Sequence, residues 1–206
     1  MYLINTSLKN IKPIALILFF LLTFNTYANE AKDWFDKGHV ASQVKDYKQA
    51  AKWWLKSAEQ GDAEAQYYLG FMYENGQGVP QDYKQAAKWY LKSAEQGDAD
   101  AQYNLGIMYE SGQGLPQDYK QAAKWWLKSA EQGHAEAQYN LGIMYENGLG
   151  VIPSNKKAYA WFALAAMSGD KSAVKNRDLT AKKLSPSKLE EAQELAAKLY
   201  ERISKK

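Results

Sequence analysis

Asp62–Gly97 reads DAEAQYYLGFMYENGQGVPQDYKQAAKWYLKSAEQG, and Asp98–Gly133 reads DADAQYNLGIMYESGQGLPQDYKQAAKWWLKSAEQG. The two stretches differ at 6 of 36 positions. His134–Gly169 begins in the same way and drifts after Gly150, while Asp46–Gly61 repeats the second half of the unit. A period of this length is the mark of a solenoid in which each repeat is one helical hairpin and neighbours supply each other's core.

Each unit divides into two helices. Helix A starts at Asp62, whose carboxylate can accept from the free N–H groups of the first turn. Ala65, Leu69, Met72 and Tyr73 then form an apolar stripe at helical spacing. Gly70 leaves room for a neighbouring helix, Gly76 is a left-handed stop, and Gly78 and Pro80 keep the connection out of the helix. Asp82 caps helix B, Tyr83, Ala87, Tyr90, Leu91 and Ala94 form its stripe, and Gly97 ends it. A lone hairpin leaves an apolar face open, and stacking of like hairpins closes it. The chain is thus expected to be all-α, an α/α superhelical solenoid of helix-turn-helix repeats. Paired aromatics recur at the period: Trp53-Trp54, Trp89-Tyr90, Trp125-Trp126 and Trp161-Phe162. They read as packing between hairpins, with the outer ring of each pair partly exposed, in preference to a sugar-stacking platform.

Outward from the repeats, the chain of 206 residues carries 26 basic and 23 acidic residues, a formal net charge of +3. Lys9 and Lys12 precede the apolar run Ile14–Phe24, and Thr26-Tyr27-Ala28 follows it with small residues where a signal peptidase requires them. The run would span roughly 16 Å as a helix against a bilayer core of about 30 Å. Residues 1–28 therefore read as a signal peptide cleaved after Ala28, with an uncleaved anchor as the alternative. Its removal leaves 24 basic against 23 acidic residues. That balance argues against a nucleic-acid binder. The absence of cysteine excludes disulfides, a thiolate nucleophile and a Cys-based zinc site. A periplasmic or secreted protein of bacterial origin is expected, with no stable membrane anchor after cleavage.

The pattern AxAQYxLGxMYExGxGxPQDYxxAxxWxxKSAEQG resembles the sel-one-like repeat (SLR), a relative of the tetratricopeptide repeat. The resemblance covers about two and a half near-consensus copies, Asp46 to Gly150. The organisation read from it is a tetratricopeptide-like amino-terminal capping hairpin at 29–61, repeats at 62–97 and 98–133, a degenerate repeat at 134–169, and carboxy-terminal capping helices at 170–206. Ser185-Pro186 opens the final helix, Ser as N-cap and Pro at the first helical position. The resemblance implies a superhelix whose members mostly scaffold other proteins, in assembly, signalling and host contact.

The near-identical copies locate a candidate surface. Four of their six differences, Glu64/Asp100, Tyr68/Asn104, Phe71/Ile107 and Asn75/Ser111, fall 4, 3 and 4 residues apart on one stripe of helix A. In tetratricopeptide relatives the corresponding face lines the concave groove. The protein-binding face is accordingly assigned to Glu64, Tyr67, Tyr68, Phe71 and Asn75; Asp100, Tyr103, Asn104, Ile107 and Ser111; and Glu136, Tyr139, Asn140, Ile143 and Asn147. Phe71, Ile107 and Ile143 read either as an interaction surface or as second-layer core.

Helix A holds acids and no lysine, at Glu64, Glu74, Asp100, Glu110, Glu136 and Glu146. Helix B holds a lysine at every fourth position: Lys48, Lys52, Lys56; Lys84, Lys88, Lys92; Lys120, Lys124, Lys128. The groove would then be acidic and suit a peptide or partner protein bearing Lys or Arg and an apolar anchor. The basic ribbon would face solvent, or else anionic lipid or polysaccharide.

The rival reading is a β-lactamase-like or cell-wall-directed hydrolase. Ser-x-x-Lys spacing occurs at Ser42/Lys45, Ser154/Lys157 and three further places, which lysine abundance alone makes nearly inevitable. Its companions S-D-N and K-T-G are absent, as are G-x-S-x-G and H-E-x-x-H. Of the two histidines, His134 stands where Asp98 caps the previous copy, and His39 lies on the groove stripe. The expectation is a non-enzymatic, cofactor-free binding protein with a cell-envelope or host-contact role.

Overall fold

The computed structural model describes residues 29–205, and within them all regular structure is helical. The helices are α1 (29–43), α2 (Tyr47–Glu59), α3 (Ala63–Asn75), α4 (Tyr83–Glu95), α5 (Ala99–Ser111), α6 (Tyr119–Ala130), α7 (Ala135–Asn147), α8 (Asn155–Ala166), α9 (Lys171–Ala181) and α10 (Pro186–Ser204). From α2 to α9 each helix packs on its neighbours in sequence, as a helical-hairpin solenoid requires. The expected signal peptide lies outside the described residues. Among those described, no helix is long and apolar enough to cross a membrane.

The caps form where the sequence places them. Asp62 and Asp98 accept from the amides of Ala65 and Ala101 at 2.8 and 2.7 Å. His134 takes over the same job, its Nδ1 accepting from Ala137 at 3.3 Å. Asp82 and Asp118 cap α4 and α6, and Ser185 caps α10 with Pro186 following. Gly76, Gly112 and Gly148 close α3, α5 and α7 with φ of 66°, 74° and 70°, a region that costs a residue with a Cβ about 1 kcal/mol or more.

Each aromatic pair works in two directions. The second ring closes its own hairpin by lying on the glycine of helix A: Trp54 on Gly38, Tyr90 on Gly70, Trp126 on Gly106 and Phe162 on Gly142. A Cβ at Gly70 would stand 2.7 Å from the Tyr90 ring, so only glycine allows this approach. The first ring reaches back to the preceding hairpin. Trp89 joins the cluster of Trp54, Leu69 and Met72; Trp125 joins that of Tyr90 and Leu105; Trp161 joins that of Trp126 and Leu141. The expectation of a partly exposed outer ring therefore fails inside the array, where both rings of each pair are buried. It holds only for Trp53, which has no hairpin before it among the described residues and stays half-buried. Each buried ring removes roughly 150–250 Å² from water, worth about 4–6 kcal/mol in transfer terms. These contacts therefore dominate the join between repeats.

Two polar ladders run through the stack. Ser57, Ser93 and Ser129 donate to the carbonyls of Ala31, Ala63 and Ala99, at the start of their own hairpin's helix A. Gln66, Gln102 and Gln138 are 4% exposed and donate to the carbonyls of Ala58, Ala94 and Ala130, near the ends of the preceding helices B. Buried polar groups are tolerated when paired in this way; the serines tie each hairpin together and the glutamines set the register from one repeat to the next.

The carboxy-terminal end departs from the pattern. Helix α10 lies beside α8, which it does not precede or follow directly in sequence. Lys156 pairs with Glu191 at 3.0 Å, and Ala196, Leu199 and Ile203 pack on the cluster that holds Trp161 and Leu164. Arg202 reaches Glu131 at the end of α6 at 2.7 Å.

Candidate functional site

The stripe on α3, α5 and α7 divides by burial. Glu64, Asp100 and Glu136, in the first turn of each helix, are exposed, and so are Asn75, Ser111 and Asn147 at the other end. Between them lie the apolar positions. Phe71 is 38% exposed, whereas Ile107 and Ile143 are half-buried, and Ile107 packs against a core cluster. Asn75 and Asn147 donate back to the carbonyls of Phe71 and Ile143 in their own helices. The face is thus acidic at one margin, amide-bearing at the other and apolar along its middle.

Tyr67, Tyr103 and Tyr139 are half-buried and look toward the next repeat. Asn176 of α9 donates to the Tyr139 hydroxyl at 3.1 Å, and Asn104 and Asn140 stand at the corresponding positions beside Tyr67 and Tyr103. Burial pushes the Tyr67 and Tyr103 phenols above their ordinary range, helped by Asp100 and Glu136 respectively, and the asparagines act in the opposite sense. These residues therefore stitch consecutive A helices together as well as lining the face. The asparagine ladder continues into α9 at the same period, a signal present in the sequence as Asn104, Asn140 and Asn176.

The first copy breaks this ladder. Tyr68 replaces the asparagine and stacks on Trp54 at 4.7 Å, with Phe35 at 5.9 Å. Next to it opens a cavity of about 340 Å³ lined by Ser42, Tyr47, Trp54, Tyr67, Tyr68, Phe71, Met72 and Gln77. The cavity brings Tyr67, Tyr68 and Phe71 of the assigned face together with α1–α2 residues that the copy comparison did not single out.

The six helix-A acids fall into two sets. Glu74 accepts from the Tyr90 hydroxyl at 2.6 Å, Glu146 from Lys183 at 2.7 Å and Thr180 at 3.3 Å, and Glu110 is half-buried with its carboxyl raised by that burial. Glu74 and Glu146 face the following helices, and Glu110 holds the equivalent position in its repeat without such a contact. The charge offered on the face is that of Glu64, Asp100 and Glu136. His134 sits between the last two, Nε2 at 3.2 Å from Asp100 and Nδ1 at 3.3 Å from Glu136, stacked on Tyr103 at 4.6 Å. Its ring serves the cap, as the sequence position implies. His39, the other histidine, is exposed and stacks loosely on Phe35 at 6.4 Å. Among the described residues no group of three or more His, Cys, Asp or Glu is placed to hold a metal ion.

The opposite side carries the nine lysines of α2, α4 and α6, all exposed. Lys56, Lys92 and Lys128 lie over Trp53, Trp89 and Trp125 at 4.6, 4.1 and 4.2 Å from the ring centroids. None of the nine makes an ion pair among the described residues.

The family model described as Sel1 repeat matches residues 31–62, 63–98, 99–134 and 135–170. Among solved structures, a Sel1 repeat protein from Oxalobacter formigenes is 30% identical with a TM-score of 0.70, over 83% of this chain and 72% of that one. The c5321 protein, a protective antigen of uropathogenic Escherichia coli with an SLR fold, is 34% identical with a TM-score of 0.52, over 84% of this chain. The chain spans 46% of the length of that antigen. No curated protein sequence matches significantly.

Proposed function

The chain belongs to the Sel1 repeat family, whose proteins are typically non-enzymatic scaffolds that mediate protein–protein interaction, and from that premise we propose that it is an exported scaffold binding a partner through the face of α3, α5 and α7. The observation that carries this reading is the combination on one face of three exposed first-turn acids with Phe71 beside an aromatic-walled cavity. Such a face suits a peptide or protein segment with Lys or Arg and one apolar anchor, by charge complementarity along the rim and burial at the centre. Export rests on the first 28 residues as a sequence. The role then falls at the cell envelope or in host contact. The hydrolase alternative gains no support from the family comparisons.

Affinity capture with crosslinking mass spectrometry tests the binding face. The bait is compared with a Glu64→Lys, Phe71→Lys, Asp100→Lys variant, all exposed positions. Tyr68 is left alone because its stack on Trp54 is structural. A partner crosslinked to α3 or α5 of the native bait and lost by the folded variant is the expected result. Equal capture by both removes the face from consideration. Intact mass of the protein recovered from the periplasm or medium tests export, and a mass retaining residues 1–28 counts against it.

A further inference from the structure

The lysine-bearing side of the solenoid is distinct from the proposed protein-binding face, and α8 shows what that side becomes when protein covers it. At the 36-residue period, Lys120, Lys124 and Lys128 of α6 correspond to Lys156, Ala160 and Leu164 of α8. Lys156 is paired with Glu191 of α10, Ala160 is fully buried, and Leu164 is 6% exposed in the cluster on which α10 packs. A covering helix therefore goes with Ala, Leu and a matched ion pair. The same positions on α2, α4 and α6 all hold lysine, exposed and without ion-pair partners among the described residues. Exposed positions on helix A differ between copies, at Glu64/Asp100 and Asn75/Ser111, while these lysines do not.

We propose that the lysine face of α2, α4 and α6 docks on the surface of an anionic phospholipid bilayer. Along the middle of α2, α4 and α6 every charge is a lysine, the acids lying at the helix ends as the caps Asp46, Asp82 and Asp118 and as Glu59, Glu95 and Glu131, and this separation favours a planar partner. A polyanion that wraps the solenoid meets Glu64, Asp100 and Glu136 on the other side, whereas a bilayer meets one side only. The array contains no arginine, the residue suited to bidentate capture of single phosphates, and lysine point charges suit the diffuse potential of a headgroup layer. The amino-terminal edge adds the group that interfaces favour. Trp53 stays half-buried there with Lys37 and Lys56 over its ring at 5.2 and 4.6 Å, beside Val40, which is 61% exposed. Long lysine stems around an interfacial indole are a common mode of peripheral attachment.

The test is sedimentation of the full chain with vesicles of phosphatidylcholine alone and of phosphatidylcholine with about 30% phosphatidylglycerol, at about 0.1 M and about 0.5 M salt. The quantity read is the gain in binding from neutral to anionic vesicles, which cancels any contribution of the apolar run at 14–24. A face variant, Lys84→Gln, Lys120→Gln, Lys124→Gln, is compared with a variant of equal net charge on α9 and its C-cap, Lys171→Gln, Lys175→Gln, Lys182→Gln. None of these six lysines lies over an aromatic ring or in an ion pair in the described structure, so far-UV circular dichroism should match the native chain for both. At about 1 kcal/mol per lysine near the surface, the face variant loses at least about tenfold of the anionic gain, and the α9 variant stays within about twofold. Lys→Arg at the three face positions retains the gain, and high salt abolishes it. Equal loss in the two Gln variants means net charge alone acts, and overturns the proposal. So does a native chain indifferent to phosphatidylglycerol, or one that prefers soluble dextran sulfate to the vesicles.

Discussion

Helices α6 and α8 occupy the same place in successive repeats and close their hairpins in the same way, Trp126 on Gly106 and Phe162 on Gly142. They differ in what lies on their outer side. Over α8 runs α10, and the helix there is Lys156, Ala160 and Leu164; over most of α6 runs nothing described, and the helix is Lys120, Lys124 and Lys128. The inner half of a repeat is thus fixed by hairpin closure and the outer half by its neighbour. Substitutions that move a residue from one regime to the other should separate the two contributions.

The largest effect is expected from Leu164→Lys, which gives α8 the residue that α6 carries. Leu164 is 6% exposed, and α10 prevents an ammonium from reaching water without displacement. A loss of about 3 kcal/mol in urea unfolding is expected, with α10 becoming susceptible to limited proteolysis. A stable, protease-resistant variant would mean that α10 contributes little to closing this end. Next comes Gly106→Ala, whose Cβ collides with the Trp126 indole and strains the bond from Trp126 Nε1 to the Tyr103 carbonyl. About 2 kcal/mol should be lost. Gly142→Ala should lose a similar amount, because the hairpin closes alike in covered and open repeats; a large disparity would break the comparison.

Much of the inner half could be read from the chain itself. The 36-residue period, the Asp62, Asp82 and Ser185 caps, the His134 cap and the Gly76 stop all depend on contacts within a few residues, and local sequence states those contacts. The burial of Trp89 and Trp125 was not legible in the same way. It is conferred by the hairpin before them, and a helical wheel drawn for α4 or α6 alone leaves one ring facing out. Gln66 and Ser93 escaped notice because polar residues inside a stripe look like its margin until their carbonyl partners on other helices are known. The candidate face was legible as a stripe of differences between copies. The double duty of Tyr67 and Asn104 was not, since it depends on the pitch from one A helix to the next.

A smaller effect separates lysines within the open face. Lys92 and Lys128 cover Trp89 and Trp125 at 4.1 and 4.2 Å, whereas Lys84 and Lys120 make no such contact. Lys92→Gln or Lys128→Gln should lose about 0.5–1 kcal/mol, and Lys84→Gln or Lys120→Gln should stay within about 0.5 kcal/mol of the native chain. Equal losses at all four positions would mean that general electrostatics, rather than contact with the indole, sets the cost.

The smallest effect concerns the acid near the end of helix A. Glu74 receives the Tyr90 hydroxyl and Glu146 receives Lys183 and Thr180, but Trp126 stands where Tyr90 would serve Glu110. Burial alone raises the Glu110 carboxyl. A carboxyl raised in the folded state binds its proton more tightly there than in the unfolded chain. Its ionised form therefore weakens the fold above the folded value, and stability recovers as pH falls through it. Because the group is partly open to water, screening holds the effect to about a few tenths of a kcal/mol. Glu110→Gln should accordingly be slightly more stable than the native chain at neutral pH, and the difference should vanish on acidification through the carboxylate range. The difference between the two chains' thermal midpoints against pH isolates this contribution from that of Asp98, whose carboxyl is also raised by burial but is common to both. A difference that grows toward acid would show that ionised Glu110 has a stabilising partner after all, and that the second repeat satisfies its acid as the first and third do.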